Sequence, residues 1–214
     1  MRTPITAIKG AVETLLAGAN ESPEESQRFL EIANRQSDRL NAIIEDLLSL
    51  SRLERDAESD EIGRMQESLL PILESALQSC VSIAKTREVE VNLFCSEDLV
   101  ANVNGALLEQ AVINLVDNAI KYSENKKIVT VEGWQEGEQV MIKVQDRGQG
   151  IPKQHLSRLF ERFYRVDASR SRAIGGTGLG LAIVKHIIQA HNGEVTAHST
   201  PGEGSVFTIS LPVS

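Results

Sequence analysis

Residues 114–181 contain four short motifs that decide how this chain folds. In order they are NLVDNAIKY (114–122), DRGQGI (146–151), FERFYR (160–165) and GGTGLGL (175–181). Asn114 and Asn118 are four residues apart, so on a helix they lie on one face, with Lys121 one step further round. An amide oxygen can join a Mg²⁺ ion otherwise held by phosphate oxygens and water, and a lysine can bind phosphate as a point charge. The first motif therefore indicates a nucleotide site.

The second and fourth motifs supply the other parts of such a site. Asp146 follows an alternating apolar strand pattern and precedes two glycines. A carboxylate at a strand end can accept the exocyclic amine of adenine, and Gly148 and Gly150 let the backbone approach the ring. Residues 176–180 open a helical pattern, so their backbone N–H groups suit an anion. These glycines are neither a P-loop nor a dinucleotide fingerprint, because no Gly-x4-Gly-Lys-Ser/Thr occurs and they do not follow a strand of a βαβ unit.

Taken in this order, the motifs resemble the N, G1, F and G2 boxes of the ATP-binding domain of sensor histidine kinases, in the superfamily of gyrase B, Hsp90 and MutL. The resemblance implies ATP and Mg²⁺ as cofactors, with Asn114 on Mg²⁺, Asn118 and Lys121 on phosphate, and Asp146 on adenine. The other residues that it implies for ATP binding are Tyr122, Gly148, Gly150, Ile151, Arg162, Tyr164, Arg165, Gly176, Thr177, Gly178, Leu179, Gly180 and Leu181. The two arginines lie in a long polar segment (152–176) that the family uses as a lid, and a solvated basic face is the alternative for them.

The N-terminal part of the chain is patterned as two amphipathic helices. Apolar residues recur at steps of three and four from Ile5 to Ala19 and from Phe29 to Leu50, the second like a coiled-coil seam. Between them, Ser22-Pro-Glu-Glu25 is typical of a capped helix start. One hairpin cannot bury both stripes well, so we predict a homodimer through residues 5–53 that forms a four-helix bundle. The alternative is a monomeric hairpin packed on the second domain.

The opening Met1-Arg-Thr3-Pro4-Ile5 resembles the end of the family's H box, His-Glu-Leu/Met-Arg-Thr-Pro. The phospho-accepting His and its Glu would come directly before Met1, so we expect the chain as given to bind ATP without phosphorylating itself. Thr3 falls where the family orients a water for dephosphorylation of the response regulator; a frayed N-terminal hydroxyl is the alternative. The four histidines of the chain, at positions 155, 186, 191 and 198, all lie outside the two predicted bundle helices.

Composition limits the partners and the compartment. Of the 214 residues, 41% are hydrophobic but only 4% aromatic, which predicts a core of Leu, Ile, Val and Ala. The net charge of −8 argues against nucleic acid or an anionic membrane as a partner. Cys80 and Cys95 have neither metal nor disulfide spacing, which favours a reduced protein. No apolar run of about 18 residues occurs, so we expect no direct membrane contact in this fragment. The resemblance implies the cytoplasmic portion of a bacterial protein anchored to the inner or plasma membrane.

The fold class expected from these patterns is α plus α/β. Residues 1–57 are predicted to form the dimerisation and phosphotransfer hairpin, 58–66 an interdomain joint and 67–214 the ATP-binding domain. About five strands and three helices in the last part fit an α/β sandwich with helices over one sheet face, of the GHKL (Bergerat) type that the resemblance implies.

The residue one helical turn before Asn114 distinguishes ATP hydrolysis from transfer of the phosphoryl group to a side chain. Hydrolytic members of the superfamily carry a general-base Glu there, whereas this chain has Gln110, and an amide cannot accept a proton from water. We therefore expect phosphoryl transfer from ATP to a bundle His and then to an Asp of a response-regulator receiver domain, with regulator phosphatase activity as a second role. The alternatives are a non-enzymatic ATP-binding dimeric scaffold and a serine-directed anti-sigma-type kinase; the bundle seam and the Arg-Thr-Pro stretch disfavour the latter.

Overall fold

The computed structural model describes residues 2–18, 22–59, 62–123, 127–166 and 176–213, and only the backbone of residues 2, 3, 52, 54 and 56–59. Its elements in chain order are helices α1 (Arg2–Leu16) and α2 (Pro23–Ser59), strand β1 (Met65–Ser68), helix α3 (Leu69–Arg87), strands β2 (Glu90–Cys95) and β3 (Val100–Val103), helix α4 (Gly105–Tyr122), strands β4 (Ile128–Glu136) and β5 (Gln139–Asp146), helices α5 (Lys153–Leu156) and α6 (Gly180–Ala190), and strands β6 (Glu194–Thr200) and β7 (Gly204–Pro212). None of the helices in these ranges is long and apolar enough to span a membrane.

The two N-terminal helices pack together as the predicted hairpin. Helix α2 begins at Pro23, and the N–H of Glu25 donates to Ser22 Oγ at 3.4 Å, as the capping pattern predicts. The helix continues to Ser59, and strand β1 begins at Met65, so the predicted joint of residues 58–66 overlaps both elements. Strand β1 is not indicated by any sequence pattern, because its four residues MQES are mostly polar and obtain their pairing from β3.

The C-terminal half is an α/β sandwich. Its five-stranded sheet has the order β2-β4-β5-β7-β6, in which β2 is parallel to β4 and the other neighbours are antiparallel. Alternate residues of β4, β5 and β7 are buried, and α3, α4 and α6 contact the sheet. The core is aliphatic, with Leu115, Ile142 and Ile183 fully buried. The predicted α plus α/β class is confirmed.

Helix α2 belongs to both halves of the molecule. Its residues Ile43, Leu50 and Leu53 are buried in the same apolar cluster as α4 and α6, with Leu47 packed against that cluster. These positions include part of the predicted dimer seam, so in the single chain that part of the seam contacts the ATP-binding half. Other apolar side chains of the hairpin remain exposed, namely Ile5, Val12, Leu16, Leu30, Ile44 and Leu48.

A buried histidine joins the end of α6 to the start of α4. His191 Nδ1 lies 2.7 Å from the carbonyl oxygen of Ile187, and its Nε2 accepts the N–H of Asn104 at 2.9 Å. Asn104 in turn caps α4 by accepting the N–H of Leu107 at 3.1 Å. A ring nitrogen that accepts an N–H cannot also carry a proton, so this geometry requires the neutral imidazole. Burial lowers the pKa of His191, and the positive charge of Arg64 lowers it further, against the hydrogen bond to the Ile187 carbonyl, which raises it.

We expect the folded state to lose stability as the pH falls from about 7.5 to 5.5. The unfolded chain binds a proton at His191 near pH 6.5, whereas the folded chain resists it, so the free energy of unfolding rises with pH in this window. Urea unfolding at several pH values measures the effect. His191→Gln should cost about 1–3 kcal/mol at pH 7.5 and flatten the pH dependence. If the exposed control His198→Gln flattens it equally, the assignment to His191 is wrong.

Candidate nucleotide site

The amide of Asn114 lies against the start of helix α6. Its Nδ2 donates to the carbonyl oxygen of Gln110 at 3.0 Å, which fixes the orientation of the amide. A Cβ added at Gly180 would lie 2.9 Å from Asn114 Oδ1, so the amide oxygen occupies the space that the glycine leaves open. The predicted metal-ligand oxygen therefore lies at a helix N-terminus, where phosphate groups are favourably bound.

The carboxyl group of Asp146 is buried at the end of β5, with 4% of the residue exposed. Its Oδ1 accepts two backbone N–H groups, from Gly148 at 2.8 Å and from Ser205 at 3.2 Å. Burial raises the pKa of Asp146, and these hydrogen bonds act in the opposite direction. The side chain is thus held rigidly by one oxygen, which suits the role predicted for it in binding a single amine.

The glycines after Asp146 permit close contact with the protein's own backbone. A Cβ at Gly148 would lie 1.9 Å from the carbonyl oxygen of Tyr122, and one at Gly150, where φ is +69°, would lie 2.1 Å from that of Thr200. The next residue, Ile151, donates its N–H to Ser199 Oγ at 2.7 Å. The DRGQGI loop therefore packs tightly between the end of α4 and the β6–β7 turn.

The remaining polar residues of α4 lie beside Asn114 along the helix. Lys121 is half-buried, and its Nζ contacts Asp117 Oδ2 at 2.5 Å, one turn back on the same helix. Asn118 and Tyr122 are also partly buried. Glu109, the carboxylate nearest in sequence to the place of the hydrolytic base, faces away and accepts a hydrogen bond from Ser75 Oγ on α3 at 2.7 Å.

The FERFYR segment contacts the glycine-rich loop. The N–H of Phe163, a residue with φ of +62°, donates to the carbonyl oxygen of Gly178 at 2.8 Å. The side chain of Arg165 also approaches Gly178, with its Cγ 3.3 Å from where a Cβ would stand. Arg162 Nη2 lies 3.5 Å from the Nε2 of His186 on α6.

Tyr164 contacts two earlier residues of the predicted lid (152–176). Its hydroxyl lies 2.6 Å from His155 Nδ1, and the guanidinium of Arg158 lies 4.3 Å from the centre of its ring. The part of the predicted lid that precedes residues 167–175 therefore has internal contacts. Those residues, which include the basic positions Arg170 and Arg172, lie outside the described ranges.

Helix α2 contributes three side chains to this region that the sequence motifs do not indicate. Thr177 Oγ1 donates to Asp46 Oδ2 at 2.7 Å, Gln110 Nε2 donates to Ser49 Oγ at 3.1 Å, and Arg39 Nη2 donates to the carbonyl oxygen of Gly176 at 3.4 Å. The partners are separated by 61 to 137 residues in the chain, and no local pattern in the sequence marks them. Thr3, by contrast, lies on α1 outside the described side chains.

Together these features define a class: a nucleotide-binding α/β sandwich that carries a helical hairpin. Residues 103–214 match the family of histidine kinase-, DNA gyrase B- and HSP90-like ATPases, and residues 1–56 match the His Kinase A (phospho-acceptor) domain. The chain belongs to the sensor histidine kinase family. This confirms the predicted family, and the ATPase match implies ATP as the ligand.

Known proteins support the same assignment. The chain is 39% identical over 212 residues to the sensor-like histidine kinase SenX3 of Mycolicibacterium smegmatis, covering 99% of this chain and 54% of that protein, so it spans about half of that relative. Its fold is similar to histidine kinase AdeS of Acinetobacter baumannii, with a TM-score of 0.75, 24% identity and coverage of 100% and 96%. It is also similar to histidine kinase ThkA in complex with response regulator protein TrrA, with a TM-score of 0.77, 20% identity and coverage of 100% and 58%.

Proposed function

We propose that this chain is the catalytic core of a sensor histidine kinase, which binds Mg²⁺–ATP and transfers the γ-phosphoryl group to a histidine of the helical bundle and then to an aspartate of a response-regulator receiver domain. The observation that carries this proposal is the position of Asn114 Oδ1 at the start of α6. Helix α2 of the hairpin contacts the same glycine-rich loop, so the bundle and the nucleotide site adjoin.

In this proposal one set of residues binds the adenine of ATP and another set binds its phosphates. Asp146 accepts the adenine amine, with Gly148, Gly150 and Ile151 shaping the loop beneath it. Asn118, Lys121, Arg162, Arg165 and residues 176–181 bind phosphate, with Tyr122 and Tyr164 at the edges. Lys121 would exchange its contact with Asp117 for phosphate. Transfer of this kind is catalysed mainly by positioning and by neutralisation of charge.

The residues present fit a magnesium ion held chiefly by the nucleotide. Among the described residues there is no cluster of three or more His, Cys, Asp or Glu side chains that could hold a metal alone. Mg²⁺ commonly keeps several waters and is bound by one or two protein oxygens together with substrate phosphates. Asn114 Oδ1 is the oxygen that would join it, and the ion would neutralise phosphate charge.

Asn114→Asp should change the magnesium dependence of ATP binding. A carboxylate adds a negative charge beside the phosphates, so affinity without Mg²⁺ should fall by roughly tenfold, with part of the loss recovered when Mg²⁺ is added. Calorimetric titration of ATP with and without Mg²⁺ measures both quantities. Asn102→Asp on β3 adds the same charge away from the site and is the matched control. Equal Mg²⁺ dependence in wild type and Asn114→Asp would argue against the ligand role.

Phosphoryl transfer is tested with γ-labelled ATP. In a chain extended by His-Glu ahead of Met1, in helical continuity with Ile5, we expect an acid-labile phosphoryl group on the added histidine and its transfer to a receiver domain. Thr3→Ala in that protein should spare this labelling and slow dephosphorylation of the regulator. Acid-stable label on a serine would favour the serine-directed kinase, and ATP binding without label would favour the scaffold. An acid-labile label on the unextended chain would contradict the expectation that it does not phosphorylate itself.

The hairpin is the proposed binding surface for a second copy of the chain and for a response regulator. Its exposed apolar side chains would pair with a second copy through residues 5–53, because a solvent-exposed apolar stripe of this length is otherwise unfavourable. The solved structure of ThkA holds a response regulator, which supports the same kind of partner for this chain.

A further inference from the structure

Helix α2 holds the glycine-rich loop through a short chain of hydrogen bonds. Thr177 Oγ1 donates its proton to Asp46 Oδ2 at 2.7 Å and accepts the N–H of Leu179 at 3.2 Å. Leu179 is the residue that precedes the first turn of α6. Asp46 therefore sets the direction of the Thr177 hydroxyl. That hydroxyl accepts a hydrogen bond from a backbone N–H group at the N-terminal end of α6, where an anion would bind.

Two further contacts hold Asp46 in this position. On the same face of α2, Arg39 reaches the carbonyl oxygen of Gly176 and Ser49 accepts a hydrogen bond from Gln110. The buried side chains of Ile43 and Leu50 flank Asp46 along the helix. Because apolar packing and three polar contacts act together, the placement of the carboxylate follows from how α2 docks on the sandwich.

The charge of Asp46 lies among the groups proposed for phosphate binding. Burial raises the pKa of its carboxyl group, the hydrogen bond from Thr177 lowers it, the charge of Glu45 raises it, and the charge of Lys121 lowers it. The lysine and the carboxylate are thus close enough to interact. A triphosphate bound at Lys121 and at the start of α6 would place a second negative charge near Asp46, and like charges at short distance repel.

We propose that Asp46 regulates the nucleotide site by competing with the phosphate groups of ATP for the Thr177 hydroxyl and the start of α6. This inference rests on the ATP site proposed above and adds a coupling between that site and the hairpin. Because such coupling is reciprocal, an Asp46 contact that weakens ATP binding must itself be weakened by ATP to the same extent. ATP then loosens α2 from the glycine-rich loop, and the nucleotide-free protein holds the two together.

The test compares nucleotide affinities of variants at Asp46. Asp46→Asn keeps the size of the side chain and an oxygen that can accept from Thr177, and Asp46→Ala removes both the charge and the acceptor. We expect both variants to bind Mg²⁺–ATP more tightly, by roughly fivefold, which is the order of effect of one nearby charge. The matched control is Asp38→Asn, an exposed carboxylate on the same helix whose hydrogen bond is to Asn34. Its affinity for ATP should equal that of wild type.

Adenosine separates this inference from the site on which it rests. It carries no phosphate, so its affinity, measured by titration, should be the same in wild type and in both Asp46 variants. Unchanged or weaker ATP binding in the Asp46 variants would overturn the competition, and so would an equal gain for adenosine and ATP. If wild-type protein bound neither adenosine nor ATP, the proposed function would fail instead.

Discussion

Asp146→Asn is expected to weaken ATP binding by roughly 10- to 100-fold, corresponding to about 1.5–3 kcal/mol for a hydrogen bond to a charged group. The substituted amide can still accept the N–H groups of Gly148 and Ser205 through its oxygen, so the loop should keep its shape. Its NH₂ group would then take the place of the second carboxylate oxygen and face the adenine amine as a donor. Two donors cannot form a hydrogen bond, and this is the cause of the loss.

Calorimetry with Mg²⁺–ATP measures this effect, and a thermal melt confirms that the variant is folded. Asp98→Asn makes the same change on an exposed turn and should leave the affinity unchanged. An unaltered affinity in folded Asp146→Asn protein would show that adenine is bound elsewhere.

Charge on the exposed face of α2 should convert the proposed dimer to monomers. Ile44 is 43% exposed and Leu48 is 55% exposed in the single chain, so aspartates at both positions should leave the monomer folded. In the proposed bundle the same aspartates would be buried against the partner, at a cost of several kcal/mol. Leu47 is less suitable for this experiment, because it packs against the core of the ATP-binding half and its loss would change both interfaces.

Sedimentation over a range of protein concentrations measures the association. The control is Arg35→Asp. Arg35 is also exposed and lies nine residues before Ile44, which places it on the opposite side of the helix, so this variant should stay dimeric. If wild-type protein were already monomeric at high concentration, the bundle proposal would be wrong and the exposed stripe would need another partner.

The sequence predicted those parts of the structure that depend on local patterns. The three- and four-residue spacing of apolar side chains indicates α1 and α2, and the apolar alternation before Asp146 indicates β5. Just after α6, Asn192 has a left-handed φ of +58° beside Gly193, a conformation that asparagine tolerates at a helix end. Strand β1 was missed, because three of its four residues are polar and only the partner strand β3 makes it a strand.

The sequence motifs predict which residues form the candidate site, but not the contacts between them. They single out Asn114 and Asp146, whose roles stay predictions, whereas the close approach of Gly148 to Tyr122 depends on how α4 ends against the next loop. The hydrogen bond between Asp46 and Thr177 joins residues 131 apart and depends on the docking of a helix with no motif of its own. Contacts of this kind follow from tertiary packing, which a linear pattern does not record.

The packing of α2 has a consequence for how the protein is divided in experiments. Cutting the chain near residue 60 would separate the two parts that match different sequence families. It would also remove Ile43, Leu50 and Leu53 from the apolar cluster that they share with α4 and α6. The excised C-terminal piece would present that newly uncovered surface to solvent, and its glycine-rich loop would lose the hydroxyl-to-carboxylate hydrogen bond. Nucleotide affinities measured on such a piece would therefore describe a different molecule from the one in which the hairpin is attached.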